Sequence, residues 1–259
     1  MAITDGTHNT GAGDRHGPAR RVPPGTAIAL CYRLVLRQLL TPGRLIVLTL
    51  LSLVATVSAF ALGVSDASLD DGVGLLAGLG FGVVVPVVCL VFGGAAIGDL
   101  RDDKTLVYVW LRPIDRWPVV VAAAAAAATL AAPVTLIPLA LAAAATGVGN
   151  SVVPATILAG VVGVIAYTAL FTLFGVWLKR FIVWGLAYIL IMEGFVAQAG
   201  PGVARFALRK YTRSILVDIT GADLDLADFS LAVGVVTPVV VGVAAIAVAS
   251  WRLGAMDID

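Results

Sequence analysis

The sequence predicts an all-α, polytopic membrane protein with six transmembrane helices. Three observations predict it. First, 60% of the 259 residues are apolar, only 13% are charged, and mean hydropathy is +1.01. Soluble domains carry roughly 25% charged residues, and one of this size has too little interior to hide so much apolar side chain. Second, the apolar residues gather in six runs, most of them at or above the ~20 residues that cross a ~30 Å hydrocarbon layer. Third, the charges lie between the runs, with Glu193 the exception. Lipid offers no partner to free backbone groups, so each run must be helical. The composition excludes a soluble enzyme, a disordered chain and a disulfide-rich module. A net charge of +1 gives no sign of nucleic-acid binding.

Residues 1–24 are polar, rich in Gly and Thr, and end in Arg20-Arg21, which reads as a flexible cytoplasmic tail. No apolar stretch follows a short basic start, as a signal peptide requires. Ile28-Ala29-Leu30-Cys31 is similar to a lipoprotein cleavage box, but Leu30 is too large for it and Arg33 and Arg37 follow at once. Residues 25–259 read as a single membrane domain. It opens with an amphipathic helix over about 26–41, carrying Arg33 and Arg37. Spans follow over about 45–62, 73–97, 119–146, 152–178, 181–197 and 231–250, the fifth being short.

Loop charge predicts the topology. With the N- and C-termini inside, 13 of the 17 cations are cytoplasmic. The exceptions are Arg205, Arg209, Lys210 and Arg213, in the loop between spans five and six. There Arg205, Arg209 and Arg213 recur every four residues, and Leu208, Tyr211, Ile215 and Ile219 recur at three- and four-residue steps. This predicts an external amphipathic helix over about 203–219 that lies on the outer leaflet, as an anchor or as a gate for release. A half-inserted element there also reconciles the count.

Within the spans, Gly74, Gly78 and Gly82 form a four-residue stripe that suits close helix packing, inside one chain or between two. The alanine run 122–128 makes a second smooth surface. Pro86, Pro133, Pro138, Pro154 and Pro238 kink helices and set shape or supply hinges. Glu193 is the only glutamate. A carboxylate in hydrocarbon must face protein or water, or be protonated. It either makes a hydrogen bond near the outer interface, with Gln198, or marks a transport path or gate.

Catalytic motifs are missing. His8 and His16 both lie in the tail, Cys31 and Cys89 read as free thiols, and no lysine follows a glycine as in a P-loop. The expectation is a chain that is not an enzyme, with no catalytic, cofactor or metal residues of its own.

The richest segment is Asp99 to Pro118. Asp99 suits the cap of a helix beginning at Leu100, and Asp102 and Asp103 suit its positive end. Val107, Trp110 and Leu111 gather on one side. Pro113 stops the helix, Pro118 starts the next, and Trp117 suits a membrane interface. A cytoplasmic helix over about 100–111 results, which is either a solvated loop or a docking surface.

Here the sequence resembles a family. Asp99-Leu100-Arg101, Lys104-Thr105-Leu106 and Leu111-Arg112-Pro113-Ile114-Asp115-Arg116 look like the loop of ABC-2-type transporter permeases, with Lys104 where that family most often has Gly. The resemblance implies the six-helix arrangement of type V exporters and an interfacial helix at about 26–41. It also implies a coupling helix that docks a separate ABC ATPase subunit through Asp99, Arg101, Asp102, Asp103, Lys104, Thr105, Val107, Trp110, Leu111, Arg112 and Arg116. Two permease copies, or a pair with a similar permease, would work together in a bacterial plasma membrane, with ATP and Mg on the partner ATPase. The alternatives are an ATP-independent carrier using Glu193 and an integral membrane enzyme. No residue selects a substrate, although spans this poor in polar groups favour an apolar one.

Overall fold

The structure, a computed structural model, describes residues 23–65, 68–102, 116–195, 207–224 and 229–255. Among them are eight helices. α1 spans Pro24–Leu39 and α2 Pro42–Val64. α3 is one long rod, Leu69–Arg101, with π-helical turns at Leu76–Val84 and Leu90–Gly94. α4 spans Trp117–Ala145, α5 Val152–Trp177 and α6 Phe181–Phe195. α7 is Leu208–Thr220 and α8 is Leu231–Ala255. The chain is a multi-pass membrane protein. Five helices (α2, α3, α4, α5 and α8) are long and apolar enough to cross a bilayer.

Among the described residues, the fifth expected span falls short. α6 has 15 residues, about 22 Å of helix against a ~30 Å layer. Its second half is π-helical, Ile189–Phe195, and residues 196–206 lie outside the described set. Elsewhere the sequence reads the spans well. Trp117 and Pro118 begin α4 as expected. Pro133, Pro138 and Pro238 lie inside helices, whereas Pro154 falls in the first turn of α5, where a proline breaks no hydrogen bond.

Burial separates core from periphery. Of the most apolar window in each helix, 67% is buried in α3 and 61% in α5, against 22% in α2 and α8. α3 and α5 are therefore the central pair, and the outer helices turn Val47, Val57, Phe60, Val236 and Val243 outward. Glycine lets the central pair touch backbone to backbone. A Cβ on Gly175 of α5 would stand 2.5 Å from the carbonyl oxygen of Gly94 in α3. Gly94 and Gly98, four residues apart, receive the Phe181 ring where a side chain would otherwise be. This is close packing of small residues, but at Gly94, Gly98 and Gly175.

α1 is amphipathic as expected. Ala27, Val35 and Leu39 are buried, and Arg33 and Arg37 are exposed. It packs on α4, where the Tyr32 hydroxyl donates to Thr129 Oγ1 at 3.1 Å. Thr129 is twelve residues into α4, about 18 Å along its axis, so α1 runs up beside α4.

The close Gly94–Gly175 contact generates a test. Gly175→Ala drives a methyl into a backbone carbonyl that cannot swing away. It is expected to cost about 1–3 kcal/mol, seen as a lower thermal midpoint in detergent. Gly43→Ala, with nothing within 4 Å of the added Cβ, should leave the midpoint unchanged.

Candidate functional site

Two charged clusters sit at opposite ends of the bundle. The first belongs to the segment the sequence singles out. Asp99 does not cap a new helix. The last turns of α3, Ala95–Asp102, run through it without a break, because nothing there interrupts the apolar face that α3 packs on α5. Its carboxylate instead takes Arg44 Nη2, at the start of α2, at 2.7 Å. Arg101 Nη1 donates to the Val176 carbonyl in the last turn of α5, at 2.9 Å. Arg116 Nη1 donates to the carbonyls of Leu253 and Gly254 in the last turn of α8, at 3.1 and 2.6 Å. The final carbonyls of a helix have no partner within it and carry its negative pole, so each arginine closes a helix end. The start of α2, the end of α3, the start of α4 and the ends of α5 and α8 therefore lie at one end of the bundle. Both ends of the membrane domain are on the same side. The Asp102 side chain and residues 103–115, including Asp103, Lys104, Thr105, Val107, Trp110, Leu111 and Arg112, lie outside the described residues.

The second cluster surrounds Glu193, which is 1% exposed. Its Oε2 accepts the Arg209 backbone N–H at 3.0 Å, and its Oε1 accepts the Tyr188 hydroxyl at 3.2 Å. Tyr167, fully buried on α5, faces it without closing a hydrogen bond of its own. The Arg209 guanidinium does not pair with the carboxylate. Nη1 donates to the Glu193 backbone carbonyl at 3.1 Å, Nη2 to the Gly78 carbonyl at 3.1 Å and Nε to the Ala77 carbonyl at 3.4 Å. Arg209 thus joins the π-helical end of α6 to the π-helical part of α3. Gly82 makes room for it: a Cβ there would stand 2.5 Å from the guanidinium carbon. Arg213 adds a second cation, donating from Nε to the same Ala77 carbonyl at 3.2 Å. α7 is not one of the long spans.

α7 therefore does not lie flat on a surface. Leu208, Tyr211 and Ile215 are buried on one side, as their spacing predicts, but Thr212 and Ser214 are buried too. Thr212 meets Gly163, eleven residues into α5, and Ile215 meets Gly234 of α8. Ala77 lies eight residues into α3, about 12 Å along it. The helix is wedged between the spans, which is the half-inserted alternative. The expected leaflet contact of Arg209 and Arg213 gives way to hydrogen bonds with backbone carbonyls of α3 and α6. Arg205 and Gln198 lie outside the described residues.

Within this chain the Gly74–Gly78–Gly82 stripe is not one packing surface. Gly82 faces Arg209, Gly74 has only Leu224 at 4.0 Å, and a Cβ on Gly78 would meet nothing within 4 Å. The wider π turns displace the four-residue register that a regular helix would keep. A cleft of about 300 Å³ between α4, α5 and α8, lined by Ala125, Ala128, Ala169, Gly242 and neighbours, has a nearly wholly apolar wall. Among the described residues no three His, Cys, Asp or Glu side chains converge as metal ligands. No protein-family model, curated protein or solved structure matches this chain.

Arg209 is expected to hold α7 in place. In a background free of Cys31 and Cys89, a thiol introduced by Thr212→Cys should resist a water-soluble maleimide while Arg209 is present. It should label fully after Arg209→Ala, and partly after Gly82→Ala. Protection that survives both changes would mean that α7 is held by apolar packing alone.

Proposed function

We propose that this chain is the membrane permease subunit of an ATP-binding-cassette transporter of the ABC-2 type, acting as an exporter. Two copies, or one copy with a similar permease, work with a separate ATPase that docks on the 99–116 segment. The observation that carries the reading is how that segment is tied in. Asp99 holds the start of α2, Arg101 the end of α5 and Arg116 the end of α8. A force on the segment therefore reaches three further helices besides α3 and α4, which it connects, each through a short charged contact. A solvated linker has no need of such anchorage, and a lever does.

Charge supports the orientation. Arg44, Arg101, Arg116, Lys179, Arg180 and Arg252 lie at this end, and Asp70, Asp71 and Asp223 at the other. Cations collect on the cytoplasmic side, so the segment faces the cytoplasm, where ATP is. ATP-driven closure of the ATPase pair would push on the loop and rock the outer helices α2, α4 and α8 about the central pair. The carrier reading has less support. Glu193 is the one carboxylate inside the apolar runs, and its oxygens hold the start of α7 and Tyr188.

Trp110→Glu or Leu111→Glu is expected to abolish co-purification of the partner ABC ATPase subunit, and to abolish ATP-dependent export, while the permease still inserts and folds. Normal association and normal export in both variants would refute the docking role. Glu193→Gln should leave export dependent on ATP and insensitive to an imposed proton gradient. An ATP-independent, gradient-driven flux would favour the carrier instead.

A further inference from the structure

We propose that Arg213, with Arg209 beside it, forms a binding subsite for the anionic head of an amphiphile that enters sideways between α3 and α7. The inference starts from charge that the fold leaves uncompensated. Two guanidiniums converge on one acceptor: Arg209 Nε and Arg213 Nε both donate to the Ala77 carbonyl, at 3.4 and 3.2 Å. Like charges this close repel, and in an apolar bundle each also bears a desolvation cost.

Arg209 offsets its cost with three carbonyls and its proximity to Glu193. Arg213 does not. Its one hydrogen bond to a described residue is the Ala77 contact, and the single ion pair among the described residues is Arg44–Asp99, at the other end of the bundle. The Nη1 and Nη2 donors of Arg213 are only partly covered and carry no bond to a described residue. A guanidinium presents these donors as a planar fork that matches a carboxylate or phosphate.

There is also room. Gly78, next to the shared carbonyl, is partly exposed, and a Cβ there would meet nothing within 4 Å. The opening is flanked by apolar α3 and lies below the end of the bundle, so an apolar chain can rest along the helix while its head reaches Arg213. Glu193 makes neither an ion pair nor a hydrogen bond with the fork; its oxygens accept from the Arg209 N–H and Tyr188 instead.

As a binding site this stands without the permease reading. As a substrate subsite of an exporter it rests on that reading, and it narrows the substrate class to anionic amphiphiles.

The test uses the purified full chain in a non-ionic detergent, with oleate as probe and oleyl alcohol as its uncharged counterpart. Oleate is expected to bind about ten-fold more tightly than oleyl alcohol, the worth of one charge-assisted contact. Arg213→Gln should abolish that difference and leave oleyl alcohol binding intact, which also reports a folded protein. Arg213→Lys should retain part of it, and Gly78→Leu should exclude both probes. Displacement of oleate by phosphatidylglycerol but not by phosphatidylcholine would assign the site to a bilayer headgroup of the same chemistry. Equal binding of oleate and oleyl alcohol to the native chain, or an oleate preference that survives Arg213→Gln, would overturn the proposal. Because the readout is binding without ATP, loss of ATPase coupling cannot mimic either result.

Discussion

A guanidinium sunk among helices must find every one of its partners inside the protein, and the upper half of this fold is arranged around that need. Arg209 reaches carbonyls on two helices, α3 and α6, at the end away from the Phe181 contact that also joins them. The carbonyls are reachable because α3 and α6 are both π-helical there, with wider turns that expose backbone oxygen to a side approach. The space is available because residue 82 is glycine. Glu193, buried and without solvent, is tolerable because the chain returns an N–H and a hydroxyl to it. Remove the guanidinium and the carbonyls of Gly78 and Glu193 lose their side-chain donor, and one short helix loses its tie to α3 and α6.

The opposite end follows the same rule with the signs rearranged. Helices α5 and α8 finish with bare carbonyls, and Arg101 and Arg116 satisfy them from another part of the chain. Arg44 and Asp99 add a partly exposed ion pair, whose worth as an attraction is small. It fixes the start of α2 against the end of α3 more than it strengthens either.

Most of the architecture is legible in the sequence because hydrocarbon is an unforgiving solvent. Run length gives the spans to within a few residues, and Trp117 and Pro118 mark the start of α4 as read. The places where reading falls short are those decided by tertiary contact. Asp99 carries the local signature of a helix cap, but α3 continues through it because packing against α5 outweighs a cap. Gly74, Gly78 and Gly82 share a face only on a regular helix, and the π turns of α3 break that face up. The functional weight of glycine falls instead on Gly94, Gly98 and Gly175, whose partners are far apart in the chain and so invisible to a local pattern. Arg209 and Arg213 fit a surface helix by spacing. The one warning was that four cations stood on the side of the membrane where cations are scarce. That anomaly is the trace of α7 being pulled inward.

The contact between Gly94 and Gly175 has a kinematic consequence. Two helices in backbone contact over glycine, with the Phe181 ring filling the adjoining notch, have no slack in which to slide. α3 and α5 are therefore locked to each other at this contact, and the pair forms a keel at the centre of the domain. Any motion delivered through Arg44, Arg101 or Arg116 must be expressed by the helices on the flanks, rotating about that keel. The fold thus allows hinge-like displacement of its periphery while forbidding shear through its centre.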